Sequence, residues 1–282
     1  MIVAAVSWKL RRIESPSEFF QHLEELVADC HSFRAEIAVL PECISLELCH
    51  LRPEAKPNEI AVHIAAHDYA EFAAELACKM GMTLIAGSTL SIRDGAAYNE
   101  AIIATKDGRI LRQTKNVLTQ FEANEWMLSP GAGLLVFGSP KIGVTICYDA
   151  EFPESGRALV EAGVLVQCVP AFTETIRGFQ RVRWCCLARA TENQNFVIHS
   201  SLVGSLGAEP VPIAVGSSAI IAPSIEPFPE QPVLAETAMN EEGVAVAEID
   251  LDLLAAGRQT NDVRNYADRK KGDWSLVLQP PE

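Results

Sequence analysis

The chain has 282 residues, 49% of them hydrophobic and 21% charged, which fits a globular chain with a large core and excludes a disordered one. Its formal net charge is −14 and its densest basic run is only Arg269-Lys270-Lys271, so nucleic acid and an anionic membrane surface both lack the cationic face they would need. The opening MIVAAV is too short for a signal peptide, and no run of eighteen apolar residues exists to span a bilayer. The expected location is therefore cytoplasmic. The eight cysteines, at 30, 43, 49, 78, 147, 168, 185 and 186, form no CxxC pair. In a chain this large without a secretory signal they read as small buried apolar residues, not as a disulfide framework.

In chain order, residues 2–8 predict a strand. Ser15-Pro16 opens a helix over 16–32, with Ser as cap and Pro at the first helical position. EIAVLPE (36–42) is a short apolar strand stopped by Pro41. Residues 58–80 keep near-helical apolar spacing up to Gly81 and predict one long helix. MTLIAGSTL (82–90) is strand-like, and residues 97–116 read as a hairpin turning at Asp107-Gly108. GLLVF (133–137) and KIGVTIC (141–147) follow as strands, then a helix over 153–163, a strand over 164–170 and a helix over 175–194. FVIHSSLVG, GSSAII and GVAVAEID close the series as strands. This order defines an α/β protein with mixed sheets and helical cover. No linker divides it, so 1–282 is expected to be a single domain, with 257–282 a polar tail running over the surface.

Three of these strands end on chemistry: Glu42 after IAVLP, Lys115 after RILRQT and Cys147 after VTI. If the three strands are neighbours in one sheet, all three groups meet at its C-terminal edge, where open α/β sheets bind ligands. A thiol needs a base or a lowered pKa to become a nucleophile. A buried carboxylate can be that base, and a lysine can hold an oxyanion. Residue types alone leave the bland alternative open: a core cysteine and an exposed ion pair.

The motifs resemble those of the nitrilase superfamily of carbon–nitrogen hydrolases. VLPE (39–42), RILRQTKNVL (109–118) and VTICYDAEFPE (144–154) match the family's three signatures in order, and the likeness extends over about residues 2–250. The resemblance implies a four-layer α-β-β-α sandwich. It implies hydrolysis of a small amide or N-carbamoyl compound, with neither metal nor organic cofactor, and a homodimer or larger homo-oligomer. It assigns Glu42 as base, Cys147 as nucleophile forming a thioester, and Lys115 with the backbone N–H of Tyr148 as oxyanion donors. The family's second carboxylate falls on Glu122, four residues before Trp126, with Glu125 as the alternative. A nitrilase acting on nitriles with the same residues, or a silent relative serving as a binding module, are the competing readings.

Two departures mark the pocket rim: Ser7 where the family usually has Gln, and Glu151 where an Arg commonly precedes Phe-Pro-Glu. His63 and His67 have helical i, i+4 spacing but no third ligand, so no metal site is expected. Cys43, Cys49 and His50 read as core, although they could line a pocket. Arg181, Arg183 and Arg189 could grip a substrate carboxylate or pair with the chain's many acids.

Overall fold

A computed structural model describes residues 1–52, 57–65 and 68–269. The elements are β1 (Ile2–Leu10), α1 (Pro16–Ser32), β2 (Ile37–Val39), a 3-10 helix (Ile44–Leu51), α2 (Pro57–Ala65), α3 (Tyr69–Met80), β3 (Thr83–Arg93), β4 (Ala96–Ala104) and β5 (Ile110–Thr114). They continue with α4 (Gln120–Asn124), β6 (Val136–Phe137), β7 (Ile142–Val144), a second 3-10 helix (Cys147–Glu151), α5 (Pro153–Glu161), β8 (Val166–Ala171) and α6 (Ile176–Asn193). The last are β9 (Phe196–Gly204), β10 (Ala219–Ile221), β11 (Val233–Glu236), β12 (Gly243–Glu248), α7 (Leu251–Thr260) and α8 (Asn265–Asp268).

The strands make two six-stranded sheets. The first runs β12-β1-β2-β3-β4-β5, with β1, β2 and β3 parallel and the outer pairings antiparallel. The second runs β6-β7-β8-β9-β10-β11, with β7, β8 and β9 parallel. They join where Trp8–Leu10 of β1 pairs in parallel with Leu202–Gly204 of β9.

Alternation along β1 shows how the layers stack. Val3 and Ala5 face Val144, Ile146, Val166 and Ile198 in a core between the sheets. Ala4, Val6 and Trp8 face the opposite way, onto Phe19, Leu23 and Val27 of α1 and the apolar sides of α2 and α3. A strand covered on both faces needs no polar side, which is why the start of the chain reads as a continuous apolar run. Val182, Cys186 and Ala190 of α6 cover the outer face of the second sheet. The architecture is a four-layer α-β-β-α sandwich.

Three local expectations need correction. The helix expected over 58–80 is two, α2 and α3, because Asp68 takes a left-handed conformation (φ 41°) that no right-handed helix can contain. Regular pairing over 141–147 stops at Val144, and Cys147 opens a 3-10 helix. The strands carrying Glu42, Lys115 and Cys147 are not neighbours: β2 and β5 lie in the first sheet and β7 in the second. The 3-10 helix Ile44–Leu51, α4, β11, α7 and α8 were not anticipated. Within the stretch expected as a surface tail, Arg258 of α7 donates to the carbonyls of Gln194 and Asn193, closing the C-terminus of α6.

Candidate active site

Each side chain of the site is delivered by a turn just past a strand. Beyond β2, the Pro41-Glu42-Cys43 turn lies against Gly87 of β3, whose φ is +73°. A Cβ there would stand 2.1 Å from the Pro41 carbonyl oxygen, so only glycine admits this approach. Ser88 completes the seat: its N–H donates to Pro41 O, and its Oγ accepts from Cys43 N at 3.0 Å. Past β5, Lys115 stays registered with β4 through a bond from its N–H to Asn99 O (2.8 Å). Past β7, the chain turns sharply at Cys147, whose φ of 45° is costly for a residue bearing a side chain. Tyr148 follows in the first turn of the 3-10 helix, where backbone N–H groups lack intrahelical partners.

These turns converge. Lys115 Nζ donates to Glu42 Oε1 at 2.8 Å and to Glu122 Oε1 and Oε2 at 2.9 and 2.8 Å. Asn99 Nδ2 bridges the same two acids, donating to Glu42 Oε1 (2.9 Å) and Glu122 Oε1 (3.0 Å). Glu42's other oxygen accepts the N–H of Phe172 at 2.8 Å, while the Cys147 thiol donates to the Phe172 carbonyl at 3.5 Å and lines the same cavity as Glu42. Glu42, Lys115, Glu122 and Cys147 are all buried.

Glu122 is fixed by a capping box. Its Oε2 accepts from Thr119 N (2.9 Å) and its own N–H donates to Thr119 Oγ1 (3.2 Å). Glu125, the alternative, ends α4 and points to solvent. The structure therefore brings Glu122 to the cluster and leaves Glu125 outside it. Asp149 ties the two sheets' turns together: its carboxylate accepts N–H bonds from Asn116 (3.1 Å), Val117 (2.7 Å) and Ile146 (3.3 Å).

The electrostatics follow from burial. Desolvation pushes the Cys147 thiol well above its ordinary range, and the Glu42 charge adds to the rise. Burial likewise raises Glu42 against the pull of Lys115. Burial alone would lower Lys115, but the two carboxylates outweigh it and hold the ammonium firmly protonated. Glu122, although buried, is held below its usual range by Lys115 and its hydrogen bonds. The resting site thus stores a neutral thiol beside a carboxyl disposed to take a proton.

Above the cluster lies a cavity of about 270 Å³, walled by Phe121, Trp126, Tyr148 and Phe172 and rimmed by Glu151, Glu174 and Arg181. Cys43 lines it beside Glu42, while Cys49 packs in the core under the helices. Arg183 and Arg189 are buried away from it. Arg183 donates to Ser217 O at 2.8 Å, and Arg189 donates to Ala150 O at 3.1 Å, bracing the helix that starts at Cys147. Ser7 binds Ser218 and Thr237 hydroxyls instead of reaching the cavity. The His63 side chain and His67 lie outside the described residues. Among those described, no group of three or more His, Cys, Asp or Glu is placed to hold a metal ion.

Asn99, Asp149 and the Phe172 backbone were missed in the sequence. Asn99 left a trace, as a polar residue inside the apolar hairpin strand. Thr119-x-x-Glu122 is itself a capping-box signature.

The α-β-β-α sandwich is a fold shared with solved members of the nitrilase superfamily. The chain belongs to the carbon-nitrogen hydrolase family, whose model matches residues 2–259. It is 33% identical over 97% of its length to the probable hydrolase YhcX of Bacillus subtilis, and it spans only 54% of that longer relative. It is 30% identical to the omega-amidase NIT2-A of Xenopus laevis, over 87% of each chain. Among solved structures, Saccharomyces cerevisiae Nit3, a member of branch 10 of the nitrilase superfamily, superposes with a TM-score of 0.72 at 24% identity, covering 92% of this chain and 93% of the other.

Proposed function

We propose that the protein hydrolyses the C–N bond of a small amide or N-carbamoyl compound through a Cys147 thioester. The observation that carries this reading is the Lys115 ammonium clamped between Glu42 and Glu122, beside a buried thiol, at the floor of a small cavity. Glu42 takes the Cys147 proton as sulfur attacks the amide carbon. Lys115 Nζ and the Tyr148 N–H hold the negative oxygen that forms. Glu42 then returns the proton to the departing nitrogen, releasing ammonia or an amine. The same carboxylate next takes a proton from a water that attacks the thioester; the C–S bond breaks, the proton passes to the Cys147 sulfur, and the acid leaves. Glu122 holds Lys115 in place and keeps its charge. Every proton and electron pair is accounted for by these side chains, so turnover is expected to survive exhaustive chelation.

A panel of small amides, ureides and nitriles assayed for ammonia release tests the reading. Amide turnover that vanishes in Cys147→Ala supports it. Nitrile turnover in preference to the matching amide would replace it with a nitrilase. No turnover of any member, with a Cys147 that ignores thiol-reactive probes, would mean a silent binding relative.

We also propose a homodimer in the cytoplasm. The eight free thiols suit a reducing compartment. Trp184 on α6 is 63% exposed, a large apolar side chain left on an outer helix, which a second copy of the chain would cover. Light scattering should return at least twice the 30.7 kDa chain mass; a clean monomer at micromolar concentration would contradict this.

A further inference from the structure

Among the described residues two cations face the cavity, and the charge of each is already matched. Lys115 is held by Glu42 and Glu122 at 2.8 Å. Arg181, at the mouth on α6, donates Nε to both oxygens of Glu151, at 2.8 and 2.7 Å. Glu151 is the firmly seated partner, its side chain 10% exposed against 53% for Arg181. Seated against Arg181, it is an anion that cancels the one cation at the rim. Glu174, on the next stretch of wall, has no ion-pair partner among the described residues. Burial and the like charge of Glu209 push its carboxyl up, as for an anion without a counter-charge.

At the open end of the cavity Glu151 and Arg181 cancel, which leaves the negative charge of Glu174, with Glu209 near it, uncompensated in a chain whose net charge is −14. Resting on the amidase reading above, we infer that the substrate is a small amide whose far end carries a cation, an ammonium or guanidinium group, and that Glu151 determines this specificity by neutralising Arg181. A carboxylate-tipped amide would meet Glu174 and a guanidinium whose charge Glu151 already balances. An ammonium would meet Glu174 unopposed. The selection works as much by repelling the anion as by attracting the cation.

Three amides of similar length separate the alternatives: 4-aminobutanamide (cationic), pentanamide (neutral) and succinamate (anionic). The readout is the ratio of kcat/KM values within each enzyme preparation, which does not depend on the fraction correctly folded. The wild type should favour the cationic over the anionic amide by at least about tenfold, the scale of a charged hydrogen bond. Glu151→Gln, which frees Arg181, should shrink that ratio by about as much through faster succinamate turnover. Adding Arg181→Gln should restore it. Glu174→Gln should reduce the advantage of the cationic amide over pentanamide. A wild type preferring succinamate, or a ratio unmoved by Glu151→Gln, would overturn the inference. Turnover of pentanamide in that case would leave the amidase reading standing. Failure of all three amides, and of every other amide tried, would remove both.

Discussion

A single amide nitrogen does two jobs at the centre of the site. Asn99 Nδ2 bonds the Glu42 oxygen that faces Lys115 and an oxygen of Glu122, and so leaves Glu42's second oxygen to the Phe172 N–H. Because Asn99 donates to the charged forms of both acids, removing it makes them easier to protonate. Asn99→Leu should lower kcat/KM by at least about tenfold. It should also move the acid limb of the pH–rate profile to higher pH, since the proposed base would be protonated over a wider range. An equal loss at every pH would assign Asn99 a purely structural role. At the proposed nucleophile, Cys147→Ala should abolish turnover while costing about 1 kcal/mol of stability, since only one buried sulfur is removed; denaturant melts and an ammonia assay on the same preparation check both.

Among the elements, α4 decides between the two loop carboxylates. Only Glu122 lies inward, held by the Thr119 capping box. Glu122→Gln should reduce turnover by ~10²-fold, whereas Glu125→Gln should leave it within about twofold, as a surface substitution does. The opposite ranking would remove Glu122 from the proposed machinery. Gly87→Ala tests the seat of Glu42. The added methyl collides with Pro41 O at a positive φ, and the displaced turn should cost about 2–4 kcal/mol in a urea melt along with most of the activity.

At this scale the sequence was legible where periodicity and turn chemistry are local. The Asp107-Gly108 hairpin formed as expected, and Pro16 and Gly81 bound helices as expected. Glu42, Lys115 and Cys147 follow strands as expected, but in the turns one to three residues past the ends of β2, β5 and β7. What stayed hidden was long-range: that these strands lie in different sheets, that Asp68 breaks a continuous apolar pattern, and that Asp149 and the Phe172 backbone stitch the turns. None of these leaves a repeat or a propensity in the chain. They are decided by contacts between residues tens of positions apart.

Across the whole molecule, a buried histidine joins distant parts of the chain. His22 of α1 lies between Glu47 of the first 3-10 helix (3.6 Å) and Glu242 beside β12 (2.8 Å), and Trp8 of β1 donates its indole N–H to the same Glu47 (2.8 Å). Burial opposes the charge on His22, but the two carboxylates prevail and raise its pKa above 6.5, while Glu242 is held down at about 2. A raised histidine gives stability that is complete below its unfolded value and lost as pH rises through the folded one. A depressed carboxylate gives stability that is present above 4.5 and lost as pH falls towards 2. The melting temperature of the wild type should therefore fall on the alkaline side of pH 6.5, and that slope should flatten in His22→Gln. An unchanged slope would mean that His22 is neutral in the fold.

The parting of the site between the two sheets gives the molecule a built-in coincidence detector. One sheet brings the carboxylates and the ammonium, and the other brings the sulfur. On the proposed chemistry, activity then registers whether the two halves of the sandwich are docked, not whether either half has formed its strands. In mild denaturant, hydrolysis should be extinguished as the interface loosens, while the circular dichroism of the strands still reports structure. For anyone evolving or breeding variants of this protein, a loss of turnover would therefore be an early alarm for separation of the layers, audible well before the protein as a whole comes apart.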